Sequence, residues 1–210
     1  MSRRIDYYFS LISPWAYIGH KPFVVVARRH DARIVYKPVP LTEVFAQTGG
    51  LPLAKRHSAR QAYRMVELQR WREKRRLAFH LSPKYWPFDA DLANRAVLAI
   101  VTAGADPTHF VQEAFDGVWE NQQNLADAIV LADLLREAGV DPEAILASAN
   151  SEATRAAYER NRLDAIEAGA FGSPCYVLNG EVFWGQDRLD LLDDALASGR
   201  APFVAKAERE

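Results

Sequence analysis

The chain has 210 residues, 49% of them hydrophobic and 25% charged, and a formal net charge of −1. These values fit an ordinary water-exposed globular protein with a sizeable core and argue against bulk nucleic-acid binding. No apolar run approaches membrane-spanning length, the opening Met1-Ser2-Arg3-Arg4 lacks the apolar stretch of a secretion signal, and one cysteine allows no internal disulfide. Cytoplasmic residence is the expectation.

In chain order, Ile5, Tyr7 and Phe9 alternate with Asp6 and Tyr8, the period-2 pattern of a strand. Trp15 to Arg29 reads as a helix with Ile18, Pro22, Val25 and Val26 on or near one face. Ser13 therefore stands where strand passes to helix, with Pro14 at the first helical position, where a missing N–H costs nothing. Ser13 reads as an N-cap. It also lies where unpaired N–H groups and the helix dipole favour an anion, a thiolate included. Ile34 to Val39 predicts a second strand ended by Pro38 and Pro40, completing β-α-β over residues 1 to about 41.

From Leu41 to about Asn150 the punctuation is helical. Ser58 caps a helix bearing Ala62, Tyr63, Val66 and Trp71. Others follow Asp91, Asp106-Pro107, Asp127 and Asp141-Pro142, with Gly104 and Gly139 as stops. This predicts an all-helical domain at 42–150 inserted into a domain made of 1–41 and 151–210. Ser151 caps a long helix closed by Gly169. Cys175 to Leu178 and Glu181 to Trp184 then form two strands joined at Asn179-Gly180, a type I′ hairpin signal. Pro174 opens the first of them, consistent with a cis bond after Ser173. Asp187 caps a closing helix from Arg188 to Ser198.

This order resembles a thioredoxin fold: α/β, a thioredoxin-like domain with an inserted all-helical domain. More narrowly, the chain resembles the glutathione-dependent branch of the DsbA-like group. That branch contains 2-hydroxychromene-2-carboxylate isomerases and kappa-class glutathione transferases. The motifs that carry the likeness are Ser13-Pro14, Ser173-Pro174, Gly185-Gln186-Asp187-Arg188-Leu189, and Leu81 to Asp89 followed by Ala93-Asn94-Arg95.

The resemblance implies glutathione as cofactor, with Ser13, Ser173, Pro174, Asp187 and Arg188 around it. Ser13 would support its thiolate as the catalytic residue. Asp187 and Arg188 would lie beside its γ-glutamyl end. The substrate would be a small aromatic carboxylate near Trp15 and Arg60, and the family usually forms homodimers. A kappa-class-like transferase, and a non-catalytic module holding a peptide on the Ser173 edge, are the alternatives.

The residues themselves support part of this. Ser13-Pro14-Trp15-Ala16 carries no cysteine, so dithiol exchange at this position is excluded. Cys175 falls on a central strand and reads as structural. The five histidines have no metal-ligand spacing, so no metal is expected. Nine basic residues between Lys55 and Arg76, against Glu67 and Glu73, read mostly as a solvated face. The family often has an asparagine in the loop ahead of this helix, where this chain has Gly49-Gly50.

Overall fold

The computed structural model describes residues 3–204. Four strands form one sheet in the order β2-β1-β3-β4, namely β1 (Arg3–Phe9), β2 (Ala32–Pro38), β3 (Cys175–Leu178) and β4 (Glu181–Trp184). β1 and β2 are parallel, with Arg3 opposite Ala32 and Phe9 opposite Pro38. β3 runs antiparallel to both β1 and β4. The hairpin turns where expected, with Asn179 and Gly180 both at positive φ (52° and 85°). β2 starts at Ala32, two residues before the expected Ile34, because backbone pairing with Arg3 and Arg4 extends the ladder.

α1 (Pro14–Arg29) fills the crossover between β1 and β2. Its buried face comprises Ala16, Tyr17, Ile18, Gly19, His20, Phe23, Val24, Val26 and Ala27. Val25, expected on that face, is exposed. From Leu41 to Ala149 the regular elements are all helical: α2 (Leu41–Thr48), α3 (Ser58–Lys74), α4 (Asp91–Thr102), α5 (Thr108–Trp119), α6 (Ala128–Glu137) and α7 (Pro142–Ala149). Then come α8 (Glu152–Glu167) and α9 (Leu189–Ser198).

Asp127, Asp141 and Ser151 cap α6, α7 and α8 through their side chains, as their positions predict. Two caps differ. His57, not Ser58, caps α3, its Nδ1 accepting from the Ala59 N–H at 3.2 Å while Ser58 is already helical. Asp187 does not cap the last helix: a 3₁₀ turn at Gln186–Arg188 leads into α9, which has no side-chain cap. On α3, Tyr63 and Val66 are exposed and Leu68 is buried, with Met65 and Trp71 packed against the core.

Alternation along β1 sends its side chains to two cores. Ile5, Tyr7 and Phe9 join Tyr176, Phe23, Phe115 and Trp119 in the larger one. Tyr8 joins Cys175, Val177, Val39 and Ala165 in the smaller. Both central strands are thus covered on both faces. Tyr7 stacks on Phe9 with ring centres 4.3 Å apart and on Tyr176 at 5.5 Å. α1 approaches this column closely at Gly19, where a Cβ would lie 2.7 Å from the Tyr176 hydroxyl and 2.8 Å from Gln186 Cβ.

His20 is buried beside Tyr7, Tyr36 and Phe115, and neither ring nitrogen makes a well-formed hydrogen bond within the described residues. Burial pulls its pKa down to about 4, against a smaller opposing pull from the Thr108 backbone. The unfolded chain takes up this proton below about 6.5, whereas the folded chain resists it until about 4. Stability from this residue is therefore present at pH 7 and is lost as pH falls through that window, by about 3 kcal/mol at full extent. Denaturant midpoints measured at pH 7 and pH 4.5 should fall less in His20→Phe than in the parent chain. Equal falls would show that His20 does not drive the acid sensitivity.

Candidate active site

The loop Ser10–Ser13 leaves β1 and enters α1 with its backbone buried, so each polar group needs a partner. Two distant side chains supply partners that the local backbone does not. Ser173 Oγ accepts from the Ser10 N–H at 3.0 Å, and Asn94 Oδ1 accepts from the Leu11 N–H at 3.1 Å. Asn94 Nδ2 donates onward to Ser10 Oγ (3.1 Å) and the Tyr158 hydroxyl (2.9 Å), which in turn donates to Asp91 Oδ1 at 3.1 Å. In the sequence Asn94 stands out only as part of the Ala93-Asn94-Arg95 motif. Its place at the centre of this network has no signature in the sequence.

Ser13 is 4% exposed and does cap α1, accepting from the Ala16 N–H at 3.3 Å. Its own proton is directed at the Ser173 carbonyl, 3.0 Å away. Pro14 has no N–H to offer, and the Tyr17 N–H bonds the Ser13 carbonyl. The Trp15 N–H is left as the first-turn donor with no partner among the described residues. Trp15 itself is partly buried against the larger core.

The Ser173–Pro174 peptide is cis, as its position at the strand start predicts. The Pro174 carbonyl accepts from the Gly185 N–H at 2.9 Å, which ties this turn to the segment carrying Asp187 and Arg188. The Ser173 N–H makes no bond among the described residues. Ser13, Ser173 and Pro174 are thus brought together. Asp187 and Arg188 lie on the exposed turn beyond Gly185, paired with each other at 2.7 Å.

Arg60 is exposed near the start of α3 and makes no side-chain hydrogen bond or ion pair among the described residues. Arg64, one turn further on, is half-buried, its guanidinium 5.0 Å from the Trp86 ring centre. The Trp86 indole N–H donates to the Ile12 carbonyl at 2.9 Å, which fixes this wall beside Ser13. Arg75, at the other end of α3, donates to the carbonyls of Ile18 (3.1 Å) and Gln186 (3.3 Å). The basic run is therefore not solely a solvated face.

At Gly50 an added Cβ would collide with the Phe45 ring, so position 50 has no room for an asparagine as it stands. Cys175 is buried and its thiol is pushed up to about 12 by desolvation, which removes it as a nucleophile at neutral pH. Among the described residues no three His, Cys, Asp or Glu side chains are grouped to hold a metal ion, and no helix is long and apolar enough to cross a membrane.

A strand ending in a buried helix N-terminus, faced by a cis-proline turn, defines a thioredoxin-type site. The chain belongs to the DSBA-like thioredoxin domain family, whose model matches residues 4–197. Within that breadth it is similar to 2-hydroxychromene-2-carboxylate isomerases. It is 28% identical to that of Sphingobium xenophagum over 198 residues, covering 93% of this chain and 99% of the relative. It is 27% identical to that of Pseudomonas putida over 196 residues, covering 91% and 93%. A solved structure of a 2-hydroxychromene-2-carboxylate isomerase superposes with a TM-score of 0.80 at 25% identity, covering 93% of this chain and 95% of the other.

The Asn94 side chain makes three buried bonds, and removing it orphans the Leu11 N–H. Asn94→Ala should lower unfolding free energy by about 3 kcal/mol. Combined with Tyr158→Phe, the loss should be less than additive, since the two share one network. Urea unfolding of both single variants and the double checks this, and strict additivity would show that the network is not coupled.

Proposed function

We propose that this chain is an isomerase of 2-hydroxychromene-2-carboxylate or a related aromatic acid, working with glutathione. One observation carries the reading. A buried helix N-terminus and a cis-proline turn face each other as in a thiol-handling site, yet Ser13 stands where a dithiol protein needs cysteine, and the chain's only cysteine is buried and inert. A sulfur used here has to come from outside. Similarity to isomerases along nearly the whole chain supports the choice of reaction.

The groups present suit glutathione. The Trp15 and Ser173 N–H groups have no partner among the described residues and lie beside Ser13. Asp187 and Arg188, paired with each other at 2.7 Å, offer complementary ends for an ammonium and a carboxylate. Bound there, glutathione would supply a thiolate able to add reversibly to a conjugated carbon, turning a double bond into a single one about which the substrate can rotate.

The chain's own part is electrostatic. The Trp15 N–H and the α1 dipole favour negative charge at the helix end. The Ser13 hydroxyl holds the Ser173 carbonyl at 3.0 Å and would turn from it to donate to sulfur.

Millimolar glutathione should give measurable heat and raise the melting temperature; the absence of both would sink the cofactor assignment. Ser13→Ala should lower isomerase turnover by about 10²–10³, the range for losing one positioned donor. It should also lower stability by about 1–3 kcal/mol through loss of the cap and of the partner to the Ser173 carbonyl. Turnover and melting temperature measured on one preparation separate these effects. A destabilised protein with full turnover per folded molecule would leave Ser13 a structural cap alone.

A further inference from the structure

Three arginines, Arg56, Arg60 and Arg64, follow one another at four-residue spacing at and into the start of α3, with no acidic side chain among them. Arg56 is held in place by its Nε bond to the Leu51 carbonyl at 2.7 Å and lies 5.8 Å from the Phe45 ring centre. Arg64 is half-buried against Trp86, and its one polar contact is a weak one, 3.7 Å to the sulfur of Met65. Elsewhere on the same helix Arg70 has Glu67 at 2.5 Å.

Burying a cation beside another cation is unfavourable unless an anion offsets it. Arg64 shows that cost: burial, and then repulsion from Arg56, hold its pKa down near 10. Arg56 is lowered by burial and by Arg60. No carboxylate among the described residues counteracts either effect. What remains is a pair of cations without a counter-charge, each against an aromatic ring and partly open to solvent, on a wall that Trp86 ties to the residue preceding Ser13.

We propose that Arg64, supported by Arg56, is the carboxylate-binding subsite of the cleft beside Ser13 and selects aromatic acids. The planar guanidinium suits a carboxylate held by paired N–H donors, and Trp86 and Phe45 supply apolar surface for an aryl ring. The inference rests on the function proposed above for the kind of acid, while the subsite itself stands on the arginines. Arg64 is assigned to recognition and not to the chemical step, so its loss should raise KM far more than it lowers kcat.

The test uses salicylate and the full chain without glutathione, by isothermal titration calorimetry. Salicylate should bind the parent chain, and its uncharged methyl ester at least tenfold more weakly. Arg64→Gln should weaken salicylate at least tenfold, Arg64→Lys should recover part of that loss, and Arg70→Gln should leave it unchanged. Melting temperatures of all variants exclude misfolding, which a partly exposed side chain should not cause. Salicylate binding that is absent in the parent, or equal in Arg64→Gln, overturns the proposal. Inorganic phosphate binding as tightly as salicylate also overturns it, by removing the aryl preference. The two readings fail separately. No response to glutathione, with salicylate still dependent on Arg64, removes the isomerase and keeps the subsite. Glutathione-dependent turnover with KM unchanged in Arg64→Gln does the reverse.

Discussion

The Ser10–Ser13 loop is buried, irregular and polar, and its own neighbours satisfy only part of it. Groups that answer the rest come from residues far along the chain: Ser173 through its hydroxyl and its carbonyl, Asn94 through both ends of its amide, and Trp86 through its indole N–H. β3 and α4 must both be docked before this loop has a defined shape. The position of Ser13 is thus a product of tertiary structure, although its capping role is local. Because a buried unpaired amide or carbonyl costs about 1–3 kcal/mol, the loop has few alternative conformations of similar free energy. A rigid floor is what a helix N-terminus needs if its dipole is to act on a fixed point.

Much of the fold was legible because its signals are local. Asn179-Gly180, Asp127, Asp141-Pro142, Ser151 and Pro14 each impose a backbone geometry through their own chemistry, and each is found in that role. The failures share a cause, competition that only the folded chain decides. Ser58 and His57 are both able to cap α3, and the path of the chain from the preceding 3₁₀ turn at Leu53–Lys55 gives the position to the imidazole. Asp187 stood before a helical pattern, but Gly185 at φ 104° starts a tighter turn and leaves its carboxylate to Arg188. Val25 shares a hydrophobic pattern with Ile18 and Val26, yet the packing of α1 turns it outward.

The site was legible in part for the same reason. Ser13 and Ser173-Pro174 announce themselves by neighbours in sequence, and the fold joins them. Asn94 and Arg64 do not, because an asparagine in a helix and an arginine in a basic run look like many others. Only their surroundings, a buried loop in one case and a missing counter-charge in the other, separate them. The direction of the Ser13 proton is likewise a tertiary fact, since its acceptor lies 160 residues away.

Arg75 gives α3 a mechanical asymmetry. Its guanidinium fastens the C-terminal end of that helix to the Ile18 carbonyl of α1 and the Gln186 carbonyl beside Asp187. Arg64 lies eleven residues back, about 16 Å away along a rigid rod rising 1.5 Å per residue. With that end held, a tilt of about 4° displaces Arg64 by roughly 1 Å while Arg75 hardly moves. Arg64 rests on Trp86, whose indole N–H holds the Ile12 carbonyl, so such a tilt is passed to the loop before Ser13 through that ring. The two ends of α3 thus reach the Ser10–Ser13 loop and α1 by different routes, one through an indole and the other through a guanidinium.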